Sequence, residues 1–257
     1  MEITFTVIGG ATWILDIHGI RIACDPVLCP AGTVQDYFWF KAKRIESPIF
    51  DNRAFDNIAL WLLTHGHEDH LDALGVQRIK EDAGIVCRGN AGKKLPAKLR
   101  EQARILRWGG TADFQRGDLA IHVEAVPAIH GVNSATAFFA GPVNGYLLTV
   151  THRNETLSIY VTGDTVLHNK VLRRLNGQTI DLLIPNMGAA RMNRLFGPLT
   201  LSASMLKKLI TVTQPKLVIP VHFSAFEHYV EPPEEITALH DERIKILKPG
   251  ETRVFSV

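Results

Sequence analysis

Cysteine is scarce in this chain: Cys24, Cys29 and Cys87 are all that 257 residues contain. An odd number without a CxxC pair excludes an even disulfide framework and points to a reducing compartment. No run of about 18 apolar residues occurs, which argues against a membrane span. An excess of one charge is also missing, since the formal net charge is +2. Nothing in that balance draws the chain to nucleic acid or to an anionic membrane. The N-terminus has no basic stretch followed by an apolar one, so no signal peptide is read there. Linkers rich in Ser or Gly, charge runs and internal repeats are absent as well. A single domain over 1–257, cytoplasmic and acting on a small molecule, is the expectation. With 46% hydrophobic residues the chain has material for a substantial core.

What is present begins as closely spaced strand-like runs at 3–8, 12–16 and 21–24, separated by Gly9-Gly10 and His18-Gly19. They read as an antiparallel meander. The stretch 25–57 is irregular and aromatic, with Tyr37, Phe38, Trp39, Phe40, Phe50 and Phe55. A loop of that length either forms a lid or binding wall, or simply packs its aromatics on the core. Residues 58–63 form a short apolar run suited to a buried strand. Helical spacing follows at 71–82 and 91–100, and strands at 85–88, 105–108, 119–126, 145–150 and 157–161. The last third alternates helix (167–175, a helix capped by Thr200, and 233–240) with strand (180–184, 217–221, 244–247 and 253–257). Strand-rich stretches followed by helices in both halves suit two sheets with helices on their outer faces.

The chemistry lies in Thr64-His65-Gly66-His67-Glu68-Asp69-His70. Imidazole nitrogens and carboxylate oxygens are ligands for zinc and similar divalent ions. His65 and His67, two apart in an extended segment, point the same way. Asp69 and His70 turn onto the start of the next helix, so one turn can serve two neighbouring metal sites. Glu68 reads as a solvated loop residue. Closure must come from elsewhere, and His130, Asp164 and His222 each follow an apolar strand, where strand ends hold geometry.

The HxHxDH run, a lone His, a Gly-Asp and a late His together resemble the metallo-β-lactamase superfamily, over nearly the whole chain. The resemblance implies an α+β fold, an αββα four-layer sandwich of two mostly antiparallel sheets with helices outside. It also implies two divalent ions, Zn2+ first among them, with Mn2+ or iron as alternatives. His65, His67 and His130 would take the first ion, and Asp69, His70 and His222 the second, with Asp164 bridging. The Gly9-Gly10-Ala11-Thr12, Cys24-Asp25-Pro26 and Gly163-Asp164-Thr165 segments are similar to one branch. It holds the L-ascorbate-6-phosphate lactonase-like and N-acyl-phosphatidylethanolamine phospholipase D-like hydrolases. Val166 stands where that branch usually has glycine, and 186–191 matches its loop only in part.

Such a site implies metal-assisted hydrolysis of a small ester, lactone or phosphoester by an activated water. Asp69 is the candidate catalytic residue, orienting that water through a free carboxylate oxygen. The bridging Asp164 argues against β-lactam cleavage. Phosphodiester cleavage, of phospholipase D or nuclease type, and iron-dependent redox chemistry are the alternatives. His168, Arg191 and His228 are candidates for substrate contact. Asp25 either orients a ligand histidine or caps a turn. His18 and His152 read as surface residues and His122 as structural.

Overall fold

The computed structural model describes residues 1–37, 40–192 and 197–257. In chain order its first half contains β1 (Glu2–Gly9), β2 (Thr12–Ile17), β3 (Ile20–Cys24), β4 (Val34–Asp36), β5 (Lys41–Lys43) and β6 (Ile58–Leu63). Then come α1 (Ala73–Val76), β7 (Gly84–Cys87), α2 (Gly89–Gly92), α3 (Ala97–Gln102), β8 (Arg104–Ile105), β9 (Thr111–Arg116) and β10 (Leu119–Ala128). The second half contains α4 (Ser134–Ala140), β11 (Val143–His152), β12 (Glu155–Val161), α5 (Asn169–Leu175) and β13 (Leu182–Ile184). It closes with α6 (Ala203–Thr213), β14 (Leu217–Val218), α7 (Pro233–Thr237) and β15 (Thr252–Ser256).

The opening meander follows from its residues. Ile3, Phe5 and Val7 are buried while Glu2, Thr4 and Thr6 are not, which is the period of a strand with one core face. The β2–β3 hairpin turns through His18 and Gly19, both at positive φ, as a two-residue turn requires. One sheet runs β15-β1-β2-β3-β6-β7-β8 and the other β14-β13-β12-β11-β10-β9. Each sheet is mixed. Its meander half is antiparallel, and β6, β7, β8, β13 and β14 join in parallel. A parallel neighbour needs a crossover, and α1 to α3, α5 and α6 lie in those crossovers.

The sheets pack face to face through Phe5, Trp13, Leu62, Val123, Tyr146 and Ile159. Trp61, Leu63 and Ile85 face outward, under Leu95 and Leu99 of the α2–α3 region. Tyr160 and Leu183 lie under Leu175, Leu206 and Ile210 of α5 and α6. Strands covered on both faces read as unbroken apolar runs, which is why β6 was visible as Ile58-Ala59-Leu60-Trp61-Leu62-Leu63. The four-layer α+β sandwich is the architecture observed. Among the described residues no helix is long and apolar enough to cross a membrane.

Several expected elements are shorter or differently capped. The helix over 71–82 shrinks to α1, started by Asp72 accepting from Gly75 N and ending in tight turns. That over 91–100 splits because Pro96, which lacks an amide hydrogen, opens α3. Ser202 caps α6, not Thr200, whose hydroxyl donates to Met187 O and accepts from Ala190 N. Residues 244–247 make a single bridge, Val218 with Ile244, where a strand was expected. The β4–β5 hairpin and α4 had no readable period. Phe138 and Phe139 of α4 face solvent by 80% and 53%, so apolar residues do not mark its inner side.

Candidate metal centre

The site forms where strands end. Beyond β6, Thr64 is held by Asp25, whose Oδ1 accepts from Thr64 N at 2.7 Å and whose Oδ2 accepts from Thr64 Oγ1 at 2.6 Å. The chain then turns, with His70 N and Leu71 N both donating to His67 O, which throws four ligand-type side chains inward. Gly66 permits this, since a Cβ there would stand 2.7 Å from Asn90 O. His130 follows β10, and Asp164 follows β12 after Gly163 at φ +57°. His222, itself at φ +62°, lies beyond β14 with its amide on Gly10 O.

All seven expected ligands converge. His65 Nε2 lies 3.0 Å from His67 Nδ1, which lies 3.4 Å from His130 Nε2. His70 Nε2 lies 3.0 Å from His222 Nε2, which is 3.6 Å from Asp69 Oδ2. Asp164 stands between the two groups. Its Oδ2 is 3.2 Å from His70 Nε2 and 3.7 Å from His130 Nε2, and its Oδ1 is 3.6 Å from His222 Nε2. The trios His65–His67–His130 and Asp69–His70–His222 each have ligand atoms close enough to share one ion.

The outer partners decide which nitrogen faces inward. His130 Nδ1 meets Leu199 O at 3.0 Å and His222 Nδ1 meets Met187 O at 3.1 Å. A carbonyl only accepts, so both Nδ1 atoms carry hydrogen and both Nε2 atoms turn lone pairs to the centre. The Thr64 hydroxyl already donates to Asp25, so at 3.0 Å it accepts from His65 Nδ1, and His65 Nε2 likewise faces inward bare. Asn186 Nδ2 donates to Asp164 Oδ1 at 2.9 Å, and Tyr229 Oη donates to Asp69 Oδ2 at 3.0 Å. Asp69 Oδ1 is buried with no partner among the described residues.

Burial and mutual proximity shift the charges of the cluster. Burial, helped by His70, pulls His65 well below the usual imidazole range, and burial with His130 pulls His67 down to about 3. Burial opposes the charge on Asp69 and Asp164, yet the neighbouring imidazoles outweigh it and hold both carboxyls well below normal. Burial also opposes charge on His70, but Asp164 and Asp69 raise it strongly. Two buried carboxylates, inward lone pairs and an orphaned carboxylate oxygen are the donor set that divalent ions fit.

Residues 21–223 match the family model of the β-lactamase superfamily domain. The chain belongs to that family. It is a metal-dependent hydrolase of the metallo-β-lactamase superfamily. A metal-dependent hydrolase of Pyrococcus furiosus is 27% identical over 203 residues, 77% of this chain and 82% of that protein. One from Hyperthermus butylicus is 26% identical over 96% of this chain and 97% of its own. Among solved structures, a possible metal-dependent hydrolase from Veillonella parvula superposes with a TM-score of 0.79 at 19% identity, covering 97% and 98% of the two chains. An isothiocyanate hydrolase from Delia radicum gut bacteria gives 0.77 at 22%, covering 98% and 99%.

Beside the hydrolase's ligand cluster lies a small cavity of about 40 Å³, open to solvent, walled by Tyr37, Phe40, Phe139, Met192, Leu199 and His228 among others. His228 is there as expected, its Nε2 3.1 Å from Asp69 Oδ2. His168 is not. Its Nδ1 accepts from Lys170 N and caps α5, and it is not among the described wall residues. Arg191 is also off that wall: its amide is tied to His228 O and its Nε is buried without a described partner. Glu68 pairs with Lys94 and is not among the described wall residues. Sequence reasoning missed Tyr229, Asn186 and Thr64 as support. It flagged the aromatic 25–57 segment as a possible wall, and Tyr37 and Phe40 come from it. Phe38 and Trp39 lie outside the described residues.

Proposed function

We propose that the chain acts as one 1–257 unit that hydrolyses a small ester, lactone or phosphoester at a two-metal centre. His65, His67 and His130 would hold one divalent ion and Asp69, His70 and His222 the other, with Asp164 shared and Zn2+ the first candidate. The observation that carries this is Asp164 standing between two ligand trios whose inward nitrogens are set by outer hydrogen bonds. When bound, two such ions supply Lewis acidity and ionise a water near neutral pH. The chain's residues do the rest. Tyr229 and His228 occupy Asp69 Oδ2, so Oδ1 is the oxygen left to accept a hydrogen bond from the attacking water and orient it. Asn186 keeps Asp164 from rotating, and the apolar wall limits competing solvent. The three free, buried cysteines fit a reducing cytoplasm.

A second reading is attack of the same water on a small apolar electrophile such as the isothiocyanate of the Delia radicum gut bacterial enzyme. The apolar wall favours it.

Elemental analysis of protein purified without added metal should find about two ions per chain, and a ratio near zero would sink the reading. Asp164→Ala should abolish hydrolysis of generic phosphodiesters, aryl esters and lactones while circular dichroism stays unchanged. Surviving activity would remove Asp164 from its shared position.

A further inference from the structure

We infer that the substrate carries an uncharged apolar group, aryl or branched alkyl, and that Tyr37 and Phe40 select it. The inference rests on the hydrolytic reading above and specifies its substrate class.

The two rings stack at 4.7 Å between centroids, 6° from parallel, where Tyr37 N donates to Phe40 O and closes the β4–β5 hairpin. They stand directly beside the ligand cluster. Tyr37 meets the edges of His67 at 5.8 Å and His228 at 5.6 Å, and Phe40 meets His228 at 5.6 Å. The described residues on either side of the hairpin are anchored. Tyr37 Oη donates to Gln35 Oε1, and Gln35 Nε2 donates to Glu68 O within the ligand-bearing turn. At its other end the buried Arg44 donates to Glu46 O and Val27 O.

Phe139, Ala140, Ala190, Met192 and Leu199 continue the wall. Among the described residues of that wall the only formal charges are Asp69 and Asp164, both committed to the centre, and no Lys or Arg is present. A second charge on the substrate, away from the reacting bond, would lose its water against aromatic and aliphatic carbon and meet no counter-ion among the described wall residues. An apolar group there gains burial and ring contacts instead.

The test compares phenyl acetate with 4-acetoxybenzoate, which differ by one distant carboxylate, on the metal-loaded enzyme. The expected kcat/KM ratio favours phenyl acetate by about tenfold or more. Phe40→Ala should lower phenyl acetate turnover by about tenfold and pull the ratio toward one, with metal content unchanged. Phe139→Ala, on a separate element, is the second variant and should weaken the preference in the same direction. Equal or better turnover of the carboxylated ester overturns the inference. If neither ester is cleaved, the ester reading fails, and the wall is judged by saturation-transfer NMR with benzyl alcohol. Binding to the metal-loaded protein that is lost in Phe40→Ala sustains it. No binding, or binding indifferent to both variants, overturns it.

Discussion

Asp25 Oδ2 lies 2.8 Å from His70 Nδ1, with both side chains buried. The same carboxylate holds the amide and hydroxyl of Thr64, so one residue at the end of β3 fixes both the end of β6 and the ring of a candidate ligand. Its backbone stands at φ +40°, a strained setting held by those three bonds.

Asp25→Asn should therefore act on metal affinity more than on the fold. An amide has one accepting oxygen, so either Thr64 or His70 loses its partner. The expected outcome is metal affinity lowered by about 10- to 100-fold and stability by about 1–3 kcal/mol. Competition with a chelating dye and thermal unfolding measure the two. Unchanged affinity would show that Asp25 does not orient His70.

Gly75→Ala should be severe despite its small size. A Cβ at that position would stand 1.9 Å from Pro26 O, backbone against side chain with neither free to give way. The segment it presses on carries Asp25 and Val27, so the damage reaches the site. A loss of about 3 kcal/mol or more is expected in urea unfolding. A midpoint equal to that of the parent protein would contradict the close approach.

Cys87 should make the protein weaker in alkali. Burial pushes its thiol from 9.0 up to about 11. The unfolded thiol then ionises first, so this group's contribution is whole below about pH 9 and is lost as pH rises toward 11. Two pH units of separation correspond to roughly 2–3 kcal/mol. Denaturation midpoints at about pH 8 and about pH 10.5 should fall less for Cys87→Ala than for the parent. Parallel falls would remove Cys87 as the cause.

The candidate ligands were legible because their constraints are local. His65, His67, Asp69 and His70 lie within six residues, and His130, Asp164 and His222 each sit just past an apolar strand. The sandwich was legible for a related reason: β6, β10 and β12 are long enough to show their burial. The supporting residues were not. Tyr229 reaches Asp69 across 160 positions, and Asn186 reaches Asp164 across 22. No period or motif marks such pairs. His168 misled because four residues beyond Asp164 is near in sequence, while α5 takes its side chain as a cap.

The sequence by itself determined the cluster of ligand-type residues and the layering, since both are written in residue type and short-range spacing. Only the tertiary structure decided which imidazole nitrogen faces inward and what surrounds the reacting centre. Those depend on Leu199 O, Met187 O, Asp25 and the Tyr37–Phe40 pair arriving from distant segments. Hydrogen-bond direction and desolvation belong to atoms brought together by the fold, and neither is encoded in any one stretch of chain.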